Sequence, residues 1–200
     1  MSDLPIVLIL GCQKYKTNLM TAIDRMRLPT YRVIGLVGGS PVTTFDGTLL
    51  SLPVEDSYEF LPKKVQAAFR WIRTNFPNTP GIFKTDEDIF FRNQHQLAIE
   101  IENNAHIPYW GTVVAHCAAG NVDISRIERS CDDTSLRPTH PSAHYCYGHG
   151  YWVSSEAIPI VCASDEFEKA FLEDVCMAHV LNKSGWMPTY VNIPYEERVR

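Results

Sequence analysis

Hydrophobic positions along the chain change period several times, and each change marks an element. Residues 5–10 are a continuous apolar run closed by Gly11, the pattern of a strand buried on both faces. From residue 14 to 27, Leu19, Met20, Ile23 and Met26 recur at helical spacing. Residues 31–37 form a second apolar strand, ended by Gly38-Gly39. Strand, helix and strand in this order predict a right-handed crossover in a mostly parallel sheet. Residues 40–55 keep no single period and carry turn residues at Pro41, Asp46-Gly47 and Pro53.

A longer helix follows, with Asp56 or Ser57 as its expected cap. Leu61, Val65, Ala68, Phe69, Ile72 and Phe76 keep its apolar stripe, and Pro62 is tolerable in the first turn. Residues 75–80, Asn-Phe-Pro-Asn-Thr-Pro, break it. Residues 81–85 predict a strand, and apolar character resumes at 89–91. Residues 94–104 predict a helix with Leu97, Ala98 and Ile101 inward, and 109–115 another strand. Residues 120–140 are polar and read as a loop, and 144–154 are aromatic and glycine-rich. Residues 167–183 have a helical pattern with an interruption near Glu173, and 187–200 are irregular or hold a late strand. The alternation predicts one α/β domain over residues 1–200. No closing element follows, which leaves open that the chain is a fragment of a longer multidomain protein.

Composition narrows the partners. An apolar share of 45% and a charged share of 20% suit a soluble globular domain. The formal net charge is -5 and no basic stripe is present, so a nucleic-acid polymer is not an expected partner. An acidic protein that binds a small anion needs local help from a metal or a helix N-terminus. The six cysteines include no Cys-x-x-Cys and read as scattered buried thiols in a reducing compartment. The N-terminal apolar run is too short for a signal peptide or a membrane span, so a cytoplasmic or otherwise soluble protein is expected.

Asp86-Glu87-Asp88 sits between two apolar runs. Three adjacent carboxylates repel one another, and burial would push their pKa values up. A divalent cation at the edge of a cleft relieves this. Mg²⁺ and Mn²⁺ take one or two carboxylates together with substrate phosphates, and Asp-x-Asp is the minimal form of that arrangement.

Four segments carry a family resemblance, in order. Residues 54–64, Val-Glu-Asp-Ser-Tyr-Glu-Phe-Leu-Pro-Lys-Lys, resemble the Asp-Ser-Tyr-x-Asn-Leu-Thr-x-Lys segment of beta-1,3-galactosyltransferase-like enzymes, and Trp71 follows as a tryptophan does there. Residues 83–91, Phe-Lys-Thr-Asp-Glu-Asp-Ile-Phe-Phe, resemble their Lys-x-Asp-Asp-Asp-x-Phe strand. Residues 145–154, Tyr-Cys-Tyr-Gly-His-Gly-Tyr-Trp-Val-Ser, are similar to their Tyr-Cys-Ser-Gly-Thr-Gly-Tyr-x-x-Ser. Leu172-Glu173-Asp174-Val175 is similar to their Glu-Asp-Val. The departures are Phe60 for Asn, Pro62 for Thr, Glu87 for the middle Asp, and Gln13-Lys14-Tyr15-Lys16 for an Arg-rich segment. No His follows His179, where family enzymes often carry a late metal ligand. The compact form, with the family's usual membrane anchor not expected, resembles the glycosyltransferases of large DNA viruses and bacteria.

The resemblance implies a GT-A fold, Rossmann-like, with a mixed, mostly parallel central sheet flanked by helices. It implies an inverting glycosyltransferase that moves a sugar from a UDP-sugar donor to a glycan acceptor hydroxyl, with Mn²⁺ or Mg²⁺ as cofactor. Asp88 and Asp86 would hold the metal. Gly11, Cys12, Lys14, Asp56, Lys64, Asp86, Glu87, Gly148, His149 and Gly150 would form the donor site, the two later glycines by close backbone approach. Lys64 would bind phosphate or pair with a carboxylate; the plainer reading is a solvated helix charge. Asp174 would be the general base and Glu173 would orient acceptor or sugar. A helix-start position would keep Asp174 ionised. The alternatives are a metal-dependent phosphotransferase or hydrolase, or a non-catalytic nucleotide-sugar-binding module. No Gly-x-x-x-x-Gly-Lys loop is present to support a P-loop enzyme.

Overall fold

Strand β1 (Ile6–Leu10) is buried along its whole length. Successive side chains of a strand point to opposite faces. Ile6, Leu8 and Leu10 therefore enter one apolar cluster, and Val7 and Ile9 enter a second. A strand with a core on both sides needs an unbroken apolar run, which is the pattern the sequence has. The computed structural model describes residues 4–131 and 133–197.

Helix α1 (Lys16–Met26) follows a 3₁₀ turn at Gln13–Tyr15 and buries Leu19, Ala22, Ile23 and Met26. Strand β2 (Arg32–Val37) pairs parallel with β1, from Ile6 opposite Arg32 to Leu10 opposite Leu36. The segment without a clear period holds β3 (Thr44–Phe45) and β4 (Leu49–Ser51), joined by a turn in which the Asp46 carboxylate accepts from the Thr48 and Leu49 N–H groups. These strands are too short for a period to register. Helix α2 (Leu61–Asn75) buries Val65, Ala68, Phe69 and Ile72. Its expected caps are not used: Ser57 makes no capping bond, and Asp56 turns its carboxylate to Gln13, Gly38 and Lys64.

Strand β5 (Gly81–Asp86) pairs parallel with the other edge of β1 and is followed by β6 (Ile89–Phe91). Helix α3 (Gln94–Asn104) is capped by Asn93, whose side chain accepts from the Gln96 N–H. The single strand expected over 109–115 is two, β7 (Tyr109–Gly111) in the main sheet and β8 (Val114–Cys117) outside it. The expected loop at 120–140 contains β9 (Gly120–Asn121), α4 (Ile124–Ser130) and β10 (Thr139–His140), with β9 and β10 paired as a small ribbon. Strand β11 (Ala143–Cys146) pairs with β8, and β12 (Tyr151–Ser154) inserts antiparallel between β5 and β7. Helix α5 (Ile158–Ala163) was not expected. The break before Glu173 is real: a 3₁₀ turn at Glu166–Glu168 precedes α6 (Glu173–Lys183). The tail gives β13 (Thr189–Tyr190) and β14 (Tyr195–Glu197), and its residues 198–200 lie outside the described residues.

The main sheet runs β13-β7-β12-β5-β1-β2-β4-β3, mixed and mostly parallel, as the GT-A expectation requires. Helices α2, α5 and α6 pack in one apolar cluster, and α1 and α3 in the other, one on each face. Chain order leaves β1 toward β2 on one side and β5 on the other. That reversal is the point where open α/β sheets bind ligands, beyond the carboxyl ends of the strands. All six cysteines are free, and no helix among the described residues is long and apolar enough to cross a membrane.

Candidate active site

The acidic segment lies at that reversal. Asp86 is the last residue of β5 and pairs in register with Leu10 at the end of β1. The Glu87 N–H donates to the Leu10 carbonyl at 3.0 Å, which ties the turn to β1 and buries the Glu87 side chain. Two other elements converge there. The β11–β12 turn is fastened to β5 by Thr85 Oγ1, which donates to the His149 carbonyl at 2.7 Å. Helix α6 begins with Glu173 and Asp174 in its first turn, where the helix dipole favours negative charge.

A cavity of about 630 Å³ opens between these elements. Asp86, Asp88, Gly148, His149, Glu173 and Asp174 all line it, so the structure brings these predicted residues together from three distant segments. Gly11, Cys12, Lys14, Asp56, Lys64, Glu87 and Gly150 do not line it. A second, shallower groove of about 460 Å³, bordered by Arg27, Tyr31 and Arg32, contains none of the predicted residues.

Lys84 is a central group that sequence reasoning passed over. It is buried on β5, and its Nζ lies 2.8 Å from Asp86 Oδ1 and 3.3 Å from Glu173 Oε2. It also donates to the Gly148 carbonyl at 3.1 Å. Burial pushes the Lys84 pKa down, but Asp86 and Glu173 together reverse this, and the net direction is up. Burial raises the Glu173 carboxyl, partly offset by Lys84; the Tyr151 hydroxyl donates to its Oε1. Asp174 is also raised, by burial first, with Lys84 and Arg126 and the N–H groups of Val175 and Gly148 pulling the other way. Desolvation is the largest influence on the Asp174 carboxyl, and it works against the ionised state that a helix-start position favours. The signal for Lys84 was a lone ammonium inside an apolar strand, which must find partners when buried. Arg126 and Tyr58 also line the cavity and were not foreseen.

The glycines differ in purpose. A Cβ on Gly148 would lie 3.2 Å from Lys84 Nζ and 3.3 Å from Asp86 Oδ2, so this glycine makes room for that ion pair. A Cβ on Gly150 would lie 2.8 Å from the Phe83 ring, so Gly150 permits core packing and not substrate approach, correcting the expectation. Tyr151 and Trp152 are core as well. His149 stays at the cavity, with Nδ1 2.7 Å from the Tyr195 hydroxyl.

Of the remaining predicted residues, Gly11, Asp56 and Lys64 form a brace one strand away. Lys64 is buried, with Nζ 2.7 Å from Asp56 Oδ1 and 2.8 Å from the Gly11 carbonyl. Asp56 Oδ2 accepts from the Gln13 N–H at 2.5 Å and Oδ1 from the Gly38 N–H at 2.9 Å. Of the readings for Lys64, pairing with a carboxylate is the one seen; a solvated helix charge is excluded by its burial, and its ammonium is committed to protein oxygens. The brace ties together the loops after β1, β2 and β4. Lys14 is exposed, with its Nζ 5.4 Å from the Tyr15 ring centroid, and Cys12 is half-buried.

The galactosyltransferase family profile matches residues 46–189, a span that contains every cavity-lining residue except Glu197. The chain belongs to the galactosyltransferase family. Glycosyl transfer is the activity this membership assigns, and it implies a sugar donor and an acceptor. The family match begins at residue 46, after β1, α1, β2 and β3, so the brace residues Gly11, Gln13 and Gly38 fall outside it while Asp56 and Lys64 fall within. No curated protein sequence matches this galactosyltransferase-family chain. Among solved structures it is similar to 4-diphosphocytidyl-2C-methyl-D-erythritol synthase, at 11% identity and a TM-score of 0.48, over 97% of this chain and 90% of that one. It is also similar to the WbbM bifunctional glycosyltransferase, at 10% identity and a TM-score of 0.48, over 95% of this chain and 39% of that one.

Proposed function

We infer that this family member transfers a sugar from a UDP-sugar to a glycan hydroxyl, with inversion and with a divalent cation. The observation that supports it is the sharing of one cavity by the Asp86/Asp88 pair and by Asp174. Asp86 and Asp88 fit a hard cation. Six carboxylates line the cavity against two cationic side chains, so a nucleoside diphosphate needs added positive charge to enter. Two carboxylates plus diphosphate oxygens are the usual Mg²⁺ or Mn²⁺ set. Among the described residues no group of three His, Cys, Asp or Glu is placed to hold a metal alone, and Asp86 and Asp88 would share the cation with diphosphate oxygens. When bound, the cation supplies charge that stabilises the departing diphosphate.

The rest of the chemistry belongs to the chain's own groups. Asp174 accepts the proton of the acceptor hydroxyl as its oxygen bonds to the anomeric carbon. The bond from that carbon to the diphosphate oxygen breaks, and its electron pair leaves with UDP. A base works best with a pKa nearer the working pH than an ordinary aspartate has, and burial moves Asp174 in that direction. Glu173, held by Lys84 and Tyr151, is too enclosed to serve as the base and instead stiffens the start of α6.

A thermal-shift panel of nucleotides tests the reading. A ligand at a hundred times its Kd stabilises the fold by about 2.7 kcal/mol. UDP with Mn²⁺ is expected to raise Tm, chelation to abolish the rise, and Asp88→Ala to abolish it too. Equal shifts with ADP, GDP and CMP, or shifts indifferent to chelation, refute the donor and cation assignment. Release of free sugar with no transfer to any glycan points to a hydrolase.

A further inference from the structure

Three segments meet at one buried ammonium: the end of β5, the β11–β12 turn and the start of α6. A lysine ammonium has three N–H donors. Lys84 Nζ has three oxygen partners, Asp86 Oδ1 at 2.8 Å, the Gly148 carbonyl at 3.1 Å and Glu173 Oε2 at 3.3 Å. Two of these partners, Glu173 and Gly148, are fixed again by a second contact. Tyr151 donates to the other Glu173 oxygen, and the Gly148 N–H donates to Asp174 Oδ2 at 3.3 Å. The Lys84 side chain is 1% exposed and that of Asp86 is 28% exposed, so the pair spans the boundary between core and cavity.

We propose that Lys84 is a positioning residue for transfer. It holds Asp86 on the donor side, and Glu173 and (through Gly148) Asp174 on the acceptor side, in one geometry. This rests on the assignment of Asp86 to the donor and Asp174 to the acceptor. The physical ground is the repulsion of clustered acids in a low-dielectric site. Without the ammonium, Asp86 is drawn toward solvent and Glu173 is left as a buried, unpaired charge. An ion pair of purely structural use gains nothing by reaching into the cavity, whereas this one touches both sets of site acids. Gly148 belongs to the same device, since any side chain there would press on both Lys84 Nζ and Asp86 Oδ2.

Lys84→Met keeps the stem's volume and removes the charge. Calorimetry of UDP with Mn²⁺ reads the donor side, and transfer rate at saturating donor reads the acceptor side, both well below the melting temperature. Loss of groups that orient metal ligands typically costs about 10- to 100-fold in affinity or activity. Both UDP affinity and kcat are expected to fall by factors in that range on a folded protein, a joint effect that a merely structural lysine would not produce. Gly148→Ala keeps the cation and displaces the contact, and is expected to lower both in the same direction by less. A folded Lys84→Met protein that binds UDP and transfers sugar within twofold of wild type overturns the role. If Lys84→Met does not fold, unchanged UDP affinity and kcat in Gly148→Ala overturn it. Wild-type protein that neither binds UDP nor transfers sugar overturns the reading of the whole site, and the role of Lys84 with it.

Discussion

Replacing Asp56 by Ala should destabilise the protein far more than removal of a surface charge. The carboxylate is the partner of a lysine that is 1% exposed, at 2.7 Å, and it accepts from two backbone N–H groups at 2.5 and 2.9 Å. Its removal leaves the buried Lys64 ammonium with the Gly11 carbonyl, at 2.8 Å, and without its charged partner. Breaking a buried pair from one side costs about 3–5 kcal/mol. For a domain of this size each kcal/mol lowers Tm by roughly 2–4 °C, so a fall of roughly 6–20 °C is expected. Urea unfolding followed by circular dichroism should show a lower midpoint with an unchanged slope, since the native fold is kept. The double variant Asp56→Asn/Lys64→Met removes both charges while keeping shape and an acceptor oxygen. It should recover much of the loss, because apolar replacement of a whole buried pair is often neutral. A single-variant loss under about 1 kcal/mol, the value of an exposed pair, refutes the reasoning. So does a double variant as unstable as the sum of its parts.

Asp174→Asn should lower kcat by about 10²–10⁴-fold, the usual contribution of a general base. In the wild type the base acts deprotonated and burial raises its pKa, so kcat/KM should fall with decreasing pH at a point above the ordinary aspartate value of 3.8. An acid limb at or below that value, or one that persists in Asp174→Asn, assigns the base elsewhere. Gly150→Ala puts a Cβ 2.8 Å from Phe83 and 3.3 Å from Phe91. Overpacking of that kind costs about 1–3 kcal/mol, readable by urea unfolding, and a change within about 0.5 kcal/mol would show that the rings yield freely.

The sequence by itself determined the elements that are long enough to repeat a period. Ile6–Leu10, α1, β2, α2 and α3 were legible because burial on two faces leaves an unbroken apolar run and burial of one helical stripe leaves its mark every 3.6 residues. Strands of two or three residues such as β3 and β9 leave no such mark, and the split of β7 from β8 at residues 112–113 sends adjacent residues to different sheets without any local break in apolar character. Site chemistry divides the same way. Asp86 and Asp88 were visible because clustered acids beside apolar runs are costly unless something compensates them, whereas Glu173 and Asp174 stood out only through the family resemblance of their segment. That Lys84 compensates two of them, that Lys64 is buried against Asp56, and that Gly148 and Gly150 face different neighbours were decided only by the tertiary structure. A residue's own stretch of chain records how deeply it is buried. It does not record which distant charge it meets there, and Lys84 and Glu173 become partners only when β12 inserts beside β5 and α6 docks against the same core.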